Sequence, residues 1–228
     1  MIKNITDSSE TIVIALEGLD KSGKHSAATL IHDFFKQRGL KVAHLSLPDY
    51  DTPIGKMIRA WLKSDYHLPP KAFECLLAAD KHVMAERIES LSETHDMIII
   101  DRYVHSQMAY GAIDNDAMWV KGLLDGIKLP HEVVFMDVEP EVSMHRRGKY
   151  GDNDKYESDR DRLEATREAY DKVLGVTTSG LTIIDANRPK IQVQADLTKL
   201  CHAWNIHLES LYGTTQIAEA TGYESATL

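Results

Sequence analysis

The sequence predicts an α/β fold of three layers, with a five-stranded parallel sheet carrying helices on both faces. Two observations predict it. Short continuous apolar runs rich in Ile and Val recur along the chain, as strands buried on both faces do. Between them lie longer stretches whose apolar residues fall three and four positions apart, the helical period. Strands that alternate with helices pair in parallel, because each crossover returns the chain to the same edge of the sheet.

The elements follow in order. Residues 11–16 (TIVIAL) predict the first strand. Residues 24–38 predict a helix with Ala28, Ile31, Phe34 and Phe35 on one face, closed by Gly39. Residues 42–45 predict a short second strand. Residues 54–62 predict a helix opened by Pro53, whose fixed φ suits a first turn. A long helix is expected over 70–91, then the third strand at 97–100 (MIII), the fourth at 133–138 (VVFMDV) and the fifth at 181–184. Residues 163–173 and 191–204 predict the remaining helices. No segment repeats at the period of a solenoid or propeller. The organisation expected is an N-terminal extension over 1–10, one domain over 11–207 and a tail over 208–228. Residues 146–162 (RRGKYGDNDKYESDRDR) have almost no aliphatic side chains and supply no core. They read as a charged lid, or as a solvated loop.

Composition narrows the function. The 228 residues carry 26 Lys+Arg against 35 Asp+Glu, a formal charge of −9. That acidity argues against binding polymeric nucleic acid, which needs a surplus of cations on one face. It leaves room for a small anion in a local basic pocket. Two cysteines, Cys75 and Cys201, exclude a disulfide scaffold and fit a reducing compartment, so a cytoplasmic location is expected. No apolar run reaches the roughly 18 residues of a membrane span, and the first ten residues lack the apolar stretch of a signal peptide.

The chemistry starts after the first strand. Gly18, Leu19, Asp20, Lys21, Ser22, Gly23, Lys24, His25 and Ser26 run from strand to helix, with the glycine and lysine spacing of a phosphate loop. Glycine lets successive backbone N–H groups turn inward around an oxyanion. The following helix adds its positive N-terminal end, and Lys24 reaches the outer phosphates of ATP. His25 stands where Ser or Thr usually offers Mg2+ a hydroxyl; imidazole is a poor ligand for that hard ion. A carboxylate elsewhere is therefore required. Asp101, at the end of the third strand, is the candidate. Arg102 beside it can grip a phosphate with two parallel hydrogen bonds.

Five stretches together resemble the thymidylate kinase family of P-loop nucleoside monophosphate kinases. They are Glu17 to Lys24, with an Asp inside the loop; Leu47-Pro48-Asp49-Tyr50 followed by Thr52 and Gly55; Leu76 to Lys81; Asp101-Arg102-Tyr103 through Ser106 to Tyr110; and Asp154 to Glu157. The resemblance implies ATP as donor, dTMP as acceptor, Mg2+ and a homodimer. It implies that Lys24 holds the donor phosphates and Arg102 bridges donor and acceptor. Asp20 then lies beside the acceptor phosphate and sugar, and Tyr110 packs on the deoxyribose. Arg147 is the lid cation expected at the phosphates, with Arg146, Lys149 and Arg160 as further candidates. Pro48, Tyr50, Phe73, Leu77, Lys81, Gln107 and Tyr156 are expected around the acceptor nucleotide.

Several positions depart from the family pattern. Leu77 stands for an aromatic residue, Lys81 for Arg and Gln107 for Asn or a small residue, while Tyr50 replaces an Arg as it does in some members. These leave the preferred pyrimidine open. Phe73, one turn before Leu77, is expected to help sandwich the base. Two other readings stay open. Glu17 offers a general base for a nucleoside kinase acting on a sugar hydroxyl. His25 raises the possibility of a nucleotide-binding protein without turnover.

Overall fold

The computed structural model describes residues 10–146 and 159–212. Five parallel strands form one sheet: β1 (Ile12–Glu17), β2 (Val42–Ser46), β3 (Met97–Asp101), β4 (Glu132–Asp137) and β5 (Gly180–Asp185), in the order β2-β3-β1-β4-β5. The helices are α1 (Lys24–Lys36), α2 (Pro53–Leu62), α3 (Pro70–Ser92), α4 (Val104–Gly111), α5 (Ala117–Gly122), α6 (Pro140–His145), α7 (Arg160–Gly175) and α8 (Lys190–Tyr212). The three-layer α/β architecture and all five expected strands are present, each within two residues of its expected ends.

The sheet is apolar on both faces because each face meets helices. Ile12, Ile14, Leu16 and Ile99 pack with Ala28, Ile31 and Phe35 of α1 and Trp204 of α8. On the other face Ala15, Ile98 and Ile100 pack with Met84 of α3 and Val104 of α4. This two-sided burial is why the strands read as unbroken apolar runs rather than alternating ones.

Register places the site. Leu16 of β1 pairs with Asp101 of β3, which pairs in turn with Ser46 of β2. The carboxyl ends of three adjacent strands are therefore flush. Backbone bonds continue past them: Arg102 N–H donates to the Leu16 carbonyl at 3.0 Å, and Leu47 N–H to the Asp101 carbonyl at 2.9 Å. The phosphate loop, the Asp101-Arg102 pair and the Leu47–Tyr50 stretch so emerge side by side at the edge where parallel sheets bind ligands.

Five helices differ from expectation. Helices α4, α5 and α6, of eight residues or fewer, are too short to display a helical period and carried no signal in the sequence. The last helix runs to Tyr212 instead of stopping at 204, and Leu208 is buried in the core, so a tail beginning at 208 is corrected. The charged segment also ends earlier than expected: α7 opens at Arg160, capped by the Asp159 side chain, which accepts from Arg162 N–H. Residues 1–9, the lid positions 147–158 and the stretch 213–228 lie outside the described residues.

Candidate active site

A cleft of ≈1960 Å³ opens over the carboxyl ends of the strands, and it is lined by residues 20–27, 46–51, Asp101, Arg102 and the turn at 186–190. Its floor is the phosphate loop. Gly18 has φ 137°, and a Cβ there would lie 2.5 Å from the Met136 carbonyl oxygen, so only glycine brings the loop this close to β4. Gly23, at φ 101°, caps α1 and turns the chain into the helix.

Lys24 is buried and folds back over its own loop, donating to the carbonyls of Gly18 (3.1 Å) and Leu19 (2.7 Å). Burial, followed by the nearby Arg102 charge, pulls its ammonium down to about 8, against the opposing pull of Asp101, Asp20 and Glu17. An anion at the loop would reverse that shift. His25 and Ser26 are exposed on the first turn of α1, and the His25 ring lies 5.8 Å from that of His44.

Arg102 occupies the left-handed region, at φ 67°. That conformation costs a non-glycine residue roughly 1–2 kcal/mol, and it turns the guanidinium onto the loop. There Arg102 Nη2 donates to Asp20 Oδ1 at 2.5 Å, and Tyr110 OH donates to Asp20 Oδ2 at 3.0 Å. Burial alone would raise the Asp20 carboxyl. Arg102, Lys24 and the two hydrogen bonds outweigh it and hold the carboxyl below its ordinary value. The Arg102 guanidinium is correspondingly held charged, chiefly by Asp20 against the effect of burial. The structure thus brings together Lys24, Asp20, Arg102, Asp101 and Tyr110, five residues singled out in the sequence.

Others fall elsewhere. Phe73 is 2 % exposed and stacks on Trp61 with centroids 3.5 Å apart. It fastens α3 to α2 and is not among the side chains that line the cleft, whereas the sequence reading set it against the base. Arg146 does not stand free above the cleft: it donates to the backbone carbonyls of Lys21 (3.2 Å) and Ala186 (2.6 Å), clasping the loop to the turn after β5. Arg160 pairs with Glu141 on the surface. Pro48 and Tyr50 line the cleft. Leu77 is half-buried on α3, whereas Lys81 and Gln107 are buried between α3 and α4. Arg147 and Tyr156 lie outside the described residues.

Glu17 was open as a general base, and its fate is structural. It is fully buried, with Oε1 accepting from Tyr103 N–H at 2.9 Å. Its Oε2 accepts from Ser106 Oγ and from Tyr170 OH, the latter at 3.1 Å. Both oxygens are spent on holding α4 and α7 against β1. Sequence reasoning missed two partners here. Tyr170 looks like any aromatic on a helix, and Ser143, whose Oγ donates to the Asp20 carbonyl at 2.7 Å, sits on α6, which left no periodic trace.

The comparisons agree with the geometry. The family profile described as Thymidylate kinase matches residues 16–197. A thymidylate kinase of Arabidopsis thaliana is 29 % identical over 82 % of this chain and 70 % of its own length. One from Plasmodium falciparum is 28 % identical over 82 % of this chain and 87 % of its own. A probable thymidylate kinase of Archaeoglobus fulgidus is 29 % identical over 85 % and 96 % respectively. Among solved structures, a thymidylate kinase from Candida albicans superposes with a TM-score of 0.73 at 23 % identity, covering 87 % of this chain and 94 % of that one; at that identity the likeness speaks for the fold.

Proposed function

The chain belongs to the thymidylate kinase family, and we propose that it performs the family reaction, ATP + dTMP to ADP + dTDP, with the cleft residues in the roles that follow. The observation that carries the assignment of roles is the meeting of Arg102, Asp20 and Lys24 over one loop. Phosphoryl transfer needs positioning and charge neutralisation more than covalent help. Lys24, released from the loop carbonyls, holds the outer donor phosphates. Arg102 spans donor and acceptor phosphates and takes up the charge that develops between them. Asp20 keeps Arg102 and Tyr110 in register and lies beside the acceptor phosphate and sugar. Tyr110 packs on the deoxyribose and leaves no room for a 2′-hydroxyl.

Among the described residues no three or more His, Cys, Asp or Glu side chains gather to hold a metal. That suits Mg2+ here, which takes most of its ligands from phosphate oxygens and water. Asp101, buried at the cleft floor beside Lys24, is a hard oxygen donor and would hold the ion through water. When bound, Mg2+ neutralises the donor phosphates. The exposed His25 takes no part in holding it.

The sugar-hydroxyl reading loses its base, because both Glu17 oxygens are engaged. Arg147 remains our candidate for the lid cation and Tyr156 for a lid contact to the acceptor. Cys75 and Cys201 are free thiols, which accords with a cytoplasmic enzyme; no described helix is long and apolar enough to cross a membrane. We place it as a homodimer, which a sedimentation mass of two chains would support and a mass of one chain would oppose.

An ADP-release assay with dTMP, dUMP, dCMP and thymidine tests the reading. ADP is expected with dTMP, and chelation of Mg2+ stops it. ADP with thymidine alone would overturn the reading, and none with any acceptor would leave a nucleotide-binding protein.

A further inference from the structure

The phosphate loop contains a strained turn that is held from outside the loop. Ser22 N–H donates to the Leu19 carbonyl at 3.3 Å, which closes a β-turn over residues 19–22. Lys21, in the third place of that turn, has φ 59°, and Asp20 before it does not share the positive φ. This is the pattern of a type II turn, whose third place favours Gly or Asn. The Cβ of a lysine is disfavoured in that left-handed region. A type I turn would suit lysine there and would keep the same closing bond. The two types differ by a flip of the central peptide, here Asp20–Lys21. An outside contact is therefore needed to keep that peptide in the orientation its residues disfavour.

Helix α6 supplies the contact. Ser143 is 2 % exposed, and its Oγ donates to the oxygen of that central peptide, the Asp20 carbonyl, at 2.7 Å. A flip would replace this oxygen by the Lys21 N–H. The peptide nitrogen lies nearer the chain axis than the oxygen, which stands out on its own 1.23 Å bond, so the hydroxyl would lose its partner. Arg146, just past the end of α6, donates from Nη1 to the next carbonyl, that of Lys21, at 3.2 Å. Lys24 Nζ meets the two preceding carbonyls, of Gly18 and Leu19. Each carbonyl from 18 to 21 is thus assigned to a donor, and the strained one is assigned to Ser143.

We propose that Ser143 is a positioning residue for ATP: it holds the Asp20–Lys21 peptide with its oxygen on α6, so that the Lys21 N–H faces the phosphates. This rests on the reading of the loop as the ATP site. A trans peptide is planar, and its C=O and N–H point to opposite sides. Fixing the oxygen therefore aims the N–H. Lys21 lines the cleft, and inward N–H groups are what such a loop offers an oxyanion. Ser143 acts wholly through the backbone and touches no reacting atom.

The test is the dissociation constant for ADP, measured by calorimetry in wild type, Ser143→Ala, Lys21→Gly and the double variant. Ser143→Ala is expected to weaken ADP binding about tenfold, on the scale of one hydrogen bond. With glycine at position 21 the turn needs no outside contact, because glycine takes a positive φ as readily as a negative one. In that background the same Ser143→Ala step should change the constant by less than about twofold, a coupling that the double-mutant cycle isolates from whatever Lys21→Gly does alone. A role confined to packing α6 would weaken both backgrounds alike. Equal weakening in the two backgrounds, or ADP binding unchanged in folded Ser143→Ala, overturns the proposal. Where Ser143→Ala does not fold, Ser143→Cys keeps the volume but donates weakly; it should weaken ADP in the same direction, and an unchanged constant there overturns the proposal equally. A wild type that does not bind ADP instead overturns the reading it rests on.

Discussion

Arg102, just after β3, and Lys24, at the start of α1, both act on Asp20 in the phosphate loop. In the proposed mechanism the guanidinium spans the two phosphates. Arg102→Ala is expected to lower kcat about 10²–10³-fold, as loss of a charge-stabilising donor does; a kcat within a factor of two of wild type would exclude it from the mechanism. Lys24 carries a pH signature. Its ammonium, held at about 8, is half neutral near that pH. A bound triphosphate favours the charged form, so ATP binding near pH 8 should take up roughly half a proton. Uptake should vanish below about pH 6.5, where Lys24 is already charged, as read from binding heats in two buffers of different ionisation enthalpy. Heats independent of buffer at pH 8 would contradict it. These residues were legible in the sequence because loop chemistry fixes residue type at fixed spacing. Phe73 was not: a helical stripe of apolar residues does not say which member faces a ligand and which faces Trp61 of the next helix.

The elements act by bringing loops to one edge. Helix α2 shows how closely. Its N-cap Thr52 accepts from Gly55 N–H, and a Cβ on Gly55 would lie 1.8 Å from the Asp49 carbonyl oxygen. Gly55→Ala must therefore push residues 49–50, with Tyr50, out of the cleft. A destabilisation of about 1–3 kcal/mol is expected, on the scale of overpacking, together with a raised KM for dTMP. Wild-type stability and KM would show that the segment yields at no cost. The strands and long helices were readable because burial on two faces and the helical period leave marks over many residues. The short α4, α5 and α6 leave none, since one or two turns hold too few apolar positions to define a face. That is why Ser143, on α6, went unseen although it holds the Asp20 backbone. Glu17 stood in plain view after the first strand, but its role depends on Tyr103, Ser106 and Tyr170, which sit 86 or more residues away along the chain.

At the scale of the molecule, parallel order and flush strand ends do most of the positioning. With β1 between β3 and β4, the phosphate loop lies beside the Asp101-Arg102 pair without any long connection. Arg146 then ties the loop to the far wall after β5, so the cleft floor is held from both sides. The overall architecture was legible because it follows from the alternation of strands and helices. The division of labour in the cleft was legible only in part, because it rests on which buried polar groups find partners within the fold. The central claim is that this cleft moves the γ-phosphoryl group of ATP onto a phosphate of dTMP. Its most direct test uses ATP carrying a radioactive γ-phosphate, incubated with dTMP and separately with thymidine. The account predicts label in the β-phosphate of dTDP and none in thymidine products; label appearing as dTMP from thymidine, with dTMP left unlabelled, would contradict it.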